Sequence, residues 1–371
     1  MVMRVCHVQL LPLLSGVQRV SLNEISQMKG DEIEFEVVVS EEGPLTNELD
    51  LLNVRHYEVS SLKRAISFSK DVYALRDLYR YFRKNQFDVV HTHSSKTGVL
   101  GRISAKLAGV NNVVHTVHGF AFPSSKSIFI KLFYYFFEFV SARFTDNLIV
   151  LNEVDYNIAE RYLLIPKKKI HLIANSIDVV KFSPRKLISD SAKKIRIVMV
   201  GRLWAQKNPM CLIKAVNELV GKYDNFSVDI IGDGELRQEV ELYLKKNRLN
   251  KYIKLLGWRN DVDKILNGYD IFVLPSLWEG MPLAILEAQS CGVPTIVSDI
   301  PGNKDLVQHD VNGLIFECDN FYDLSEMIAR YFDNAELLKE HSINARKSVM
   351  KNFSSLKRNT KVLNIYKSKV I

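Results

Sequence analysis

Cysteine is scarce and scattered in this chain. Cys6, Cys211, Cys291 and Cys318 lie far apart in apolar settings, with no C-x-x-C spacing among them. That argues against a disulfide framework or a zinc site, and it fits a reduced, cytosolic compartment. Long hydrophobic runs are missing too. The most apolar stretch, residues 126–144 (KSIFIKLFYYFFEFVSARF), is interrupted by Lys131, Glu138 and Arg143 and is too short to span a bilayer. At the amino terminus only Arg4 precedes a brief apolar run that reads as a first strand, so no signal peptide is expected. No repeat or low-complexity segment occurs. Acidic residues are thin in one region: from Ser60 to Phe144 there are 13 lysines and arginines against 4 aspartates and glutamates, a local +9. The net charge of the whole chain is +8, so the remainder is close to neutral. A localised basic surface suits nucleic acid, anionic lipid or an anionic substrate. No nucleic-acid motif accompanies the charge, so nucleic acid is not the expected partner.

What is present is an ordinary globular composition. With 371 residues, 47% hydrophobic and 25% charged, the chain can build two domains with substantial cores. Strand-type runs at Val2–Gln9, Phe35–Val39, Val54–Val59, Asp88–His93, Val113–His118 and Asn147–Leu151 alternate with helical patterns such as Val72–Phe82 and Leu100–Ala108. This alternation predicts an α/β fold with a parallel sheet wound on both sides. Polar, proline-containing Lys181–Lys194 follows as a linker, and the pattern restarts at Ile195–Val200. The expected division is a domain over 1–180, a linker over 181–194, a second domain over 195–352 and a terminal helix over 353–371.

The most informative stretch runs from Ile271 to Asp299 (IFVLPSLWEGMPLAILEAQSCGVPTIVSD). Ile271–Leu274 reads as a strand, Pro282 to Ser290 follows helical spacing, and Gly292 sits where a helix is closed by glycine. Val293–Ser298 reads as the next strand, so the whole is one strand–loop–helix–strand unit. Pro282 is placed at the first helical position, where its missing N–H costs nothing. The first-turn N–H groups then point unpaired into the loop, a setting that favours anions at the carboxyl end of a parallel strand. Glu279 lies before this helix, and Glu287 lies roughly 7–8 Å along it. A diphosphate-linked sugar can span that gap; spacing alone fits two solvated helix-end glutamates as well.

Glu279, seven residues, then Glu287 within PSLWEGMPLAILEAQSCGVP resembles the signature of the retaining glycosyltransferases of family 4. The resemblance implies a GT-B fold, two facing Rossmann-like domains, with the first glutamate contacting the donor sugar and the second its ribose. Further segments extend it over most of the chain. Gly201-Arg202-Leu203 followed by Lys207 looks like the family's G-R-L-x-x-x-K segment, and Pro209 marks a helix start beside it. Two cations there would clamp a diphosphate and stabilise its growing charge as the glycosidic bond breaks. Ser15-Gly16 resembles the amino-terminal glycine loop, with serine in place of a usual first glycine, and Asn175-Ser176-Ile177-Asp178 resembles the segment before the linker. His118-Gly119 resembles the segment facing the donor sugar; a structural histidine in a strand-end turn is the other reading. Gly232-Asp233-Gly234 is similar to a family turn and reads as structural. Near Gly257-Trp258-Arg259, relatives pair their backbone with the nucleobase.

The resemblance therefore implies catalytic roles for Glu279, His118, Arg202 and Lys207. Donor contacts fall to Gly16, Arg202, Lys207, Arg259, Glu279, Gly280, Met281, Pro282, Leu283 and Glu287. No cofactor is expected beyond the nucleoside-diphosphate sugar as co-substrate, and no metal. Asp261-Val262-Asp263 has the D-x-D pattern of metal-dependent glycosyltransferases, but acidic residues opening a helix are explained by the helix dipole. His91, His93, His115 and His118 gather at strand ends with no neighbouring carboxylate or cysteine to complete a metal site. The expected reaction moves a hexose or N-acetylhexosamine, from a UDP-sugar by preference, with retention of configuration. A lipid-linked acceptor such as a polyprenyl-diphosphate saccharide is suggested by the local +9 and by the aromatic stretch, which is either a core helix or one lying in an anionic membrane interface. This places the protein on the cytoplasmic face of the plasma membrane, in surface-polysaccharide assembly of the O-antigen or capsule kind. A nucleotide-sugar epimerase of the same architecture and a non-catalytic membrane scaffold are the alternatives.

Overall fold

The computed structural model describes residues 2–120, 122–123, 127–184 and 194–369. Most of the expected linker, 185–193, lies outside the described residues, as does Lys126. The chain divides into two compact units, Met1–Asn175 with Ser355–Ile371, and Ser176–Ser354.

The first unit contains β1 (Met3–Val8), α1 (Gly16–Met28), β2 (Ile33–Val39), α2 (Pro44–Leu51), β3 (Arg55–Glu58), α3 (Phe68–Asn85) and β4 (Val89–His93). It continues with α4 (Ser95–Leu107), β5 (Asn112–Val117), α5 (Ile128–Ala142), β6 (Asn147–Val150), α6 (Glu153–Arg161) and β7 (Ile170–Leu172). All seven strands are parallel, in the order β3-β2-β1-β4-β5-β6-β7. The five central strands, β2, β1, β4, β5 and β6, are buried along nearly their whole length, which is why they read as largely apolar runs, while the edge strands β3 and β7 are partly exposed. Helix α3 shows how each layer is held: Ala74, Leu78 and Phe82 recur at i, i+4 and i+8 and are fully buried. Burial of the two larger side chains contributes about 1.5–3 kcal/mol each.

The second unit contains β8 (Ile195–Val200), α7 (Pro209–Leu219), β9 (Phe226–Ile231), α8 (Arg237–Lys246), β10 (Ile253–Gly257), α9 (Val262–Ile265) and β11 (Ile271–Leu274). Then come α10 (Leu283–Ser290), β12 (Thr295–Ser298), α11 (Pro301–Lys304), β13 (Gly313–Phe316), α12 (Phe321–Asp333) and α13 (Ala335–Asn352). Its six parallel strands run β10-β9-β8-β11-β12-β13. The last helix, α14 (Ser355–Lys367), belongs to the first unit, where Val362, Ile365 and Tyr366 are buried in the core beside β1 and α1.

Both sheets reverse their winding direction once, between β1 and β4 and between β8 and β11. Ligands of such sheets bind at the carboxyl ends of the strands flanking that reversal. The loop before Gly16 and the end of β4 therefore meet in the first unit, and the loops after Val200 and Leu274 meet in the second. Three sequence readings shift. Pro282 is the residue preceding α10 rather than its first residue, β12 starts at Thr295 rather than Val293, and the short edge strand β7 went unread. A three-residue run is too short to show a period.

Candidate functional site

In the second unit, the loops at the reversal point are tied together. Leu277 N–H donates to the Gln206 carbonyl at 2.8 Å, and Gln206 Nε2 donates to the Trp278 carbonyl at 2.9 Å. Across this seam Lys207 Nζ donates to Glu279 Oε1, and Ser276 Oγ donates to the same oxygen at 2.7 Å. The Glu279 side chain is only 7% exposed and that of Lys207 19%, so the pair sits in a medium where charge is poorly screened. Two residues given separate tasks in the sequence, one for the sugar and one for the diphosphate, are thus in direct contact. Arg202 lies on the same loop, half-buried, with its guanidinium 4.6 Å above the Trp204 ring.

Gly280, Met281 and Pro282 lead into α10, whose first turn begins at Leu283. Glu287 is on that helix and 5% exposed, so the solvated-glutamate reading does not hold for it. The loop is braced from below. A Cβ on Gly302 would lie 2.5 Å from the Gly280 carbonyl and 2.6 Å from that of Glu279, so only glycine lets α11 approach. The Gly232-Asp233-Gly234 turn braces the other loop: Leu203 N–H donates to the Asp233 carbonyl at 3.1 Å, and Gly232, at φ +137°, leaves no room for a Cβ against Gly201. Arg259 lies two residues beyond β10, whose Gly257 carbonyl accepts from Gly232 N–H at 2.8 Å. It is exposed and forks onto Asp261, at 2.8 and 2.6 Å. Asp261 itself precedes α9, the position that the helix-start reading assigns it.

In the first unit, Gly16 opens α1, and Ser15 Oγ donates to Gln18. His118 follows β5, half-buried, with Nε2 3.3 Å from His93 Nδ1. Behind it lies a polar cluster that sequence reasoning did not assemble. His7 on β1, His91 and His93 on β4 and Glu24 on α1 bring ligand-type atoms within 4.8 Å of one another. Glu24 thus supplies the carboxylate that the histidines lacked in the linear sequence. Its Oε1 accepts from both Arg358 Nε and Nη2, at 3.0 and 2.8 Å, so an arginine of α14 already neutralises it. Burial drives the protons off the rings, holding His7 and His118 down to about 3 and His91 and His93 well below the ordinary imidazole value. His7 and Glu24 were missed because a polar residue in a buried run carries no periodic signal; the available clue was that His7, His91 and His93 fall on the same face of paired parallel strands.

Helix α5 inverts the usual arrangement. It turns a carboxylate inward while Lys131 stays exposed: Glu138 is buried and accepts from Arg102 Nη2 at 2.7 Å. Outward it shows seven large apolar side chains, Ile128, Phe129, Ile130, Leu132, Phe133, Phe136 and Phe137. Among the described residues no helix is long and apolar enough to cross a membrane.

Comparison with known proteins accords with this geometry. Residues 14–181 match the family described as Glycosyltransferase Family 4, and residues 182–348 match Glycosyl transferases group 1. The chain is 43% identical over 381 aligned positions, 99% of its length and 97% of the relative's, to an Escherichia coli UDP-Gal:alpha-D-GlcNAc-diphosphoundecaprenol alpha-1,3-galactosyltransferase. Among solved structures, HepE of Anabaena in complex with UDP and glucose superposes with a TM-score of 0.85 at 17% identity, covering 99% of this chain and 100% of that one. A glycosyltransferase of Rickettsia africae superposes at 0.83 with 19% identity, over 100% and 99% of the two chains. The two matched families, the full-length relative and the two reversed parallel sheets together place this chain in glycosyltransferase family 4, as an enzyme of GT-B fold.

Proposed function

We propose that this enzyme transfers a hexose, galactose first among the candidates, from its UDP-sugar to a saccharide carried on a polyprenyl diphosphate, with retention of configuration. The observation that carries the reading is the Lys207–Glu279 contact at the open ends of β8 and β11. A cation and a carboxylate held on one seam suit the two halves of a sugar nucleotide, the diphosphate and the sugar hydroxyls. In this reading Arg202, Lys207 and the first-turn amides of α10 hold the diphosphate, Glu279 orients the sugar, Glu287 takes the ribose and His118 faces the transferred sugar. As the bond from sugar C1 to the leaving phosphate oxygen breaks, the acceptor hydroxyl adds to the same face and its proton passes to that phosphate. Arg202 and Lys207 meet the developing charge, so the reaction is expected to run without a divalent cation. The E. coli relative, named for a UDP-galactose donor and a diphosphoundecaprenol acceptor, supports the choice of substrates.

The apolar outer face of α5 supports a seat on an anionic membrane. Helices of a parallel sheet begin at the strands' carboxyl ends, so Ile128 to Phe133 lie on the same edge of the first unit as Gly16 and His118. Exposed Phe68, Val72 and Tyr73 at the start of α3 share that edge, with Arg64 and Lys70 beside them. Contact there would present a lipid-held acceptor to the edge of the domain that carries Gly16 and His118. The test is a panel of UDP-galactose, UDP-glucose and UDP-N-acetylglucosamine with a synthetic N-acetylglucosaminyl-diphospho-lipid, scored by product mass and anomeric coupling. Transfer with an α-linkage is expected; hydrolysis-free epimerisation of the donor alone, or no transfer from any donor, overturns the reading.

A further inference from the structure

We propose that Tyr366, on the terminal helix, is a positioning residue for His118: through His7 and His93 its hydroxyl decides which ring nitrogen of His118 carries the hydrogen. The catalytic consequence rests on the reading above that His118 faces the transferred sugar. The connection is continuous. Tyr366 Oη lies 2.6 Å from His91 Nδ1 and 3.0 Å from His7 Nε2. His7 Nδ1 lies 3.1 Å from His93 Nε2 and 2.8 Å from Ser21 Oγ, and His93 Nδ1 lies 3.3 Å from His118 Nε2. At the far end His91 Nε2 lies 2.7 Å from Thr116 Oγ1.

A neutral imidazole has one donor and one acceptor, so each ring passes the bond direction on to the next. The shorter contact assigns the tyrosine hydrogen to His91 Nδ1, which leaves His91 Nε2–H to donate to Thr116. Tyr366 Oη then accepts from His7 Nε2–H, the bare His7 Nδ1 is shared between the Ser21 hydroxyl and His93 Nε2–H, and His93 Nδ1 accepts from His118 Nε2–H. His118 is left with a bare Nδ1, an acceptor for a sugar hydroxyl. No proton changes hands; the chain sets a tautomer. Burial of the rings keeps them neutral, which is what lets the direction propagate. A metal cage is the competing use of His7, Glu24, His91 and His93. All six ring nitrogens of these histidines already have partners, and the Arg358 guanidinium on Glu24 opposes a second cation.

Two substitutions reverse the chain from different points. Tyr366→Phe removes the acceptor of His7 Nε2–H. Thr116→Val, nearly isosteric, removes the acceptor of His91 Nε2–H while keeping Tyr366. Long-range ¹H–¹⁵N correlation of histidine-labelled full-length protein at neutral pH reads the tautomers, with His118 assigned through His118→Gln. The wild type is expected to show His118 as Nε2–H and both variants as Nδ1–H. Turnover should fall about tenfold with donor KM held within about twofold. Inversion with unchanged turnover upholds the relay and removes the sugar-contact role of His118. An unchanged His118 tautomer in both variants overturns the proposal. So does an equivalent of tightly bound zinc whose chelation shifts the His7, His91 and His93 resonances.

Discussion

Glu279 and Lys207 illustrate how charge is managed at the level of single side chains. They share one seam with Ser276, and each is mostly withdrawn from water. Removing either leaves the other partly buried without its counter-ion, so their substitutions should not add. Glu279→Gln is expected to lower kcat about 10²-fold, Lys207→Met by at least as much, and the double variant by far less than the product, read from initial rates with a UDP-sugar. Independent, multiplicative effects would show that the two do not act as a unit. Gly232 is a residue-scale constraint of another kind. Its positive φ and its contact with Gly201 mean that Gly232→Ala must displace the loop carrying Arg202. A loss of about 2–4 kcal/mol in urea unfolding is expected.

Among elements, α5 and the β1–β4 pair carry the clearest consequences. Arg102, wholly buried on α4, donates to Glu138 of α5, to the Gly98 carbonyl and to Thr145 Oγ1. Arg102→Met strands a buried carboxylate and should cost about 3–5 kcal/mol. Phe129→Ser with Phe133→Ser, in contrast, touches only exposed side chains. Stability should change by under about 0.5 kcal/mol, while the flotation with anionic liposomes at low salt that the proposed membrane seat predicts for the wild type should be lost. Retained flotation would assign membrane contact elsewhere. The buried imidazoles of β1 and β4 predict a pH dependence. Their folded-state values lie below the ordinary 6.5, that of His7 at about 3, so between those limits the unfolded chain binds more protons than the native one. Stability therefore falls as pH drops through that window, by up to about 1.4 kcal/mol per unit for each wholly buried ring. Urea midpoints measured against pH at constant salt check this.

For the whole chain, the terminal helix is what makes the first unit discontinuous in sequence. Arg358 on α14 binds Glu24 of α1 and the carbonyls of Ile173 and Ala174, and Asn112 Nδ2 donates to the Ile365 carbonyl. Arg358→Ala should destabilise the first unit by about 3–5 kcal/mol, because Glu24, whose carboxyl burial already pushes upward, loses its counter-ion. Calorimetry should show one of two transitions moving.

The amino-acid sequence by itself determined the alternation of strand and helix, the restart near Ile195 and the corner from Ile271 to Asp299. Each depends on neighbours a few residues apart: apolar spacing, a proline before a helix, a glycine after one. Placement of Arg202, Lys207 and Glu279 at strand–helix junctions was legible for the same reason. Their contact was not, since 72 residues separate Lys207 from Glu279 and only the reversal of strand order between β8 and β11 brings those loops together. The inward turn of Glu138 and the outward turn of the phenylalanines of α5 were likewise undecided, because a helical period names two faces without saying which one the core takes. The histidine cluster lay furthest out of reach. Its members come from β1, α1, β4 and α14, and buried polar groups find partners by three-dimensional proximity, which no local pattern encodes.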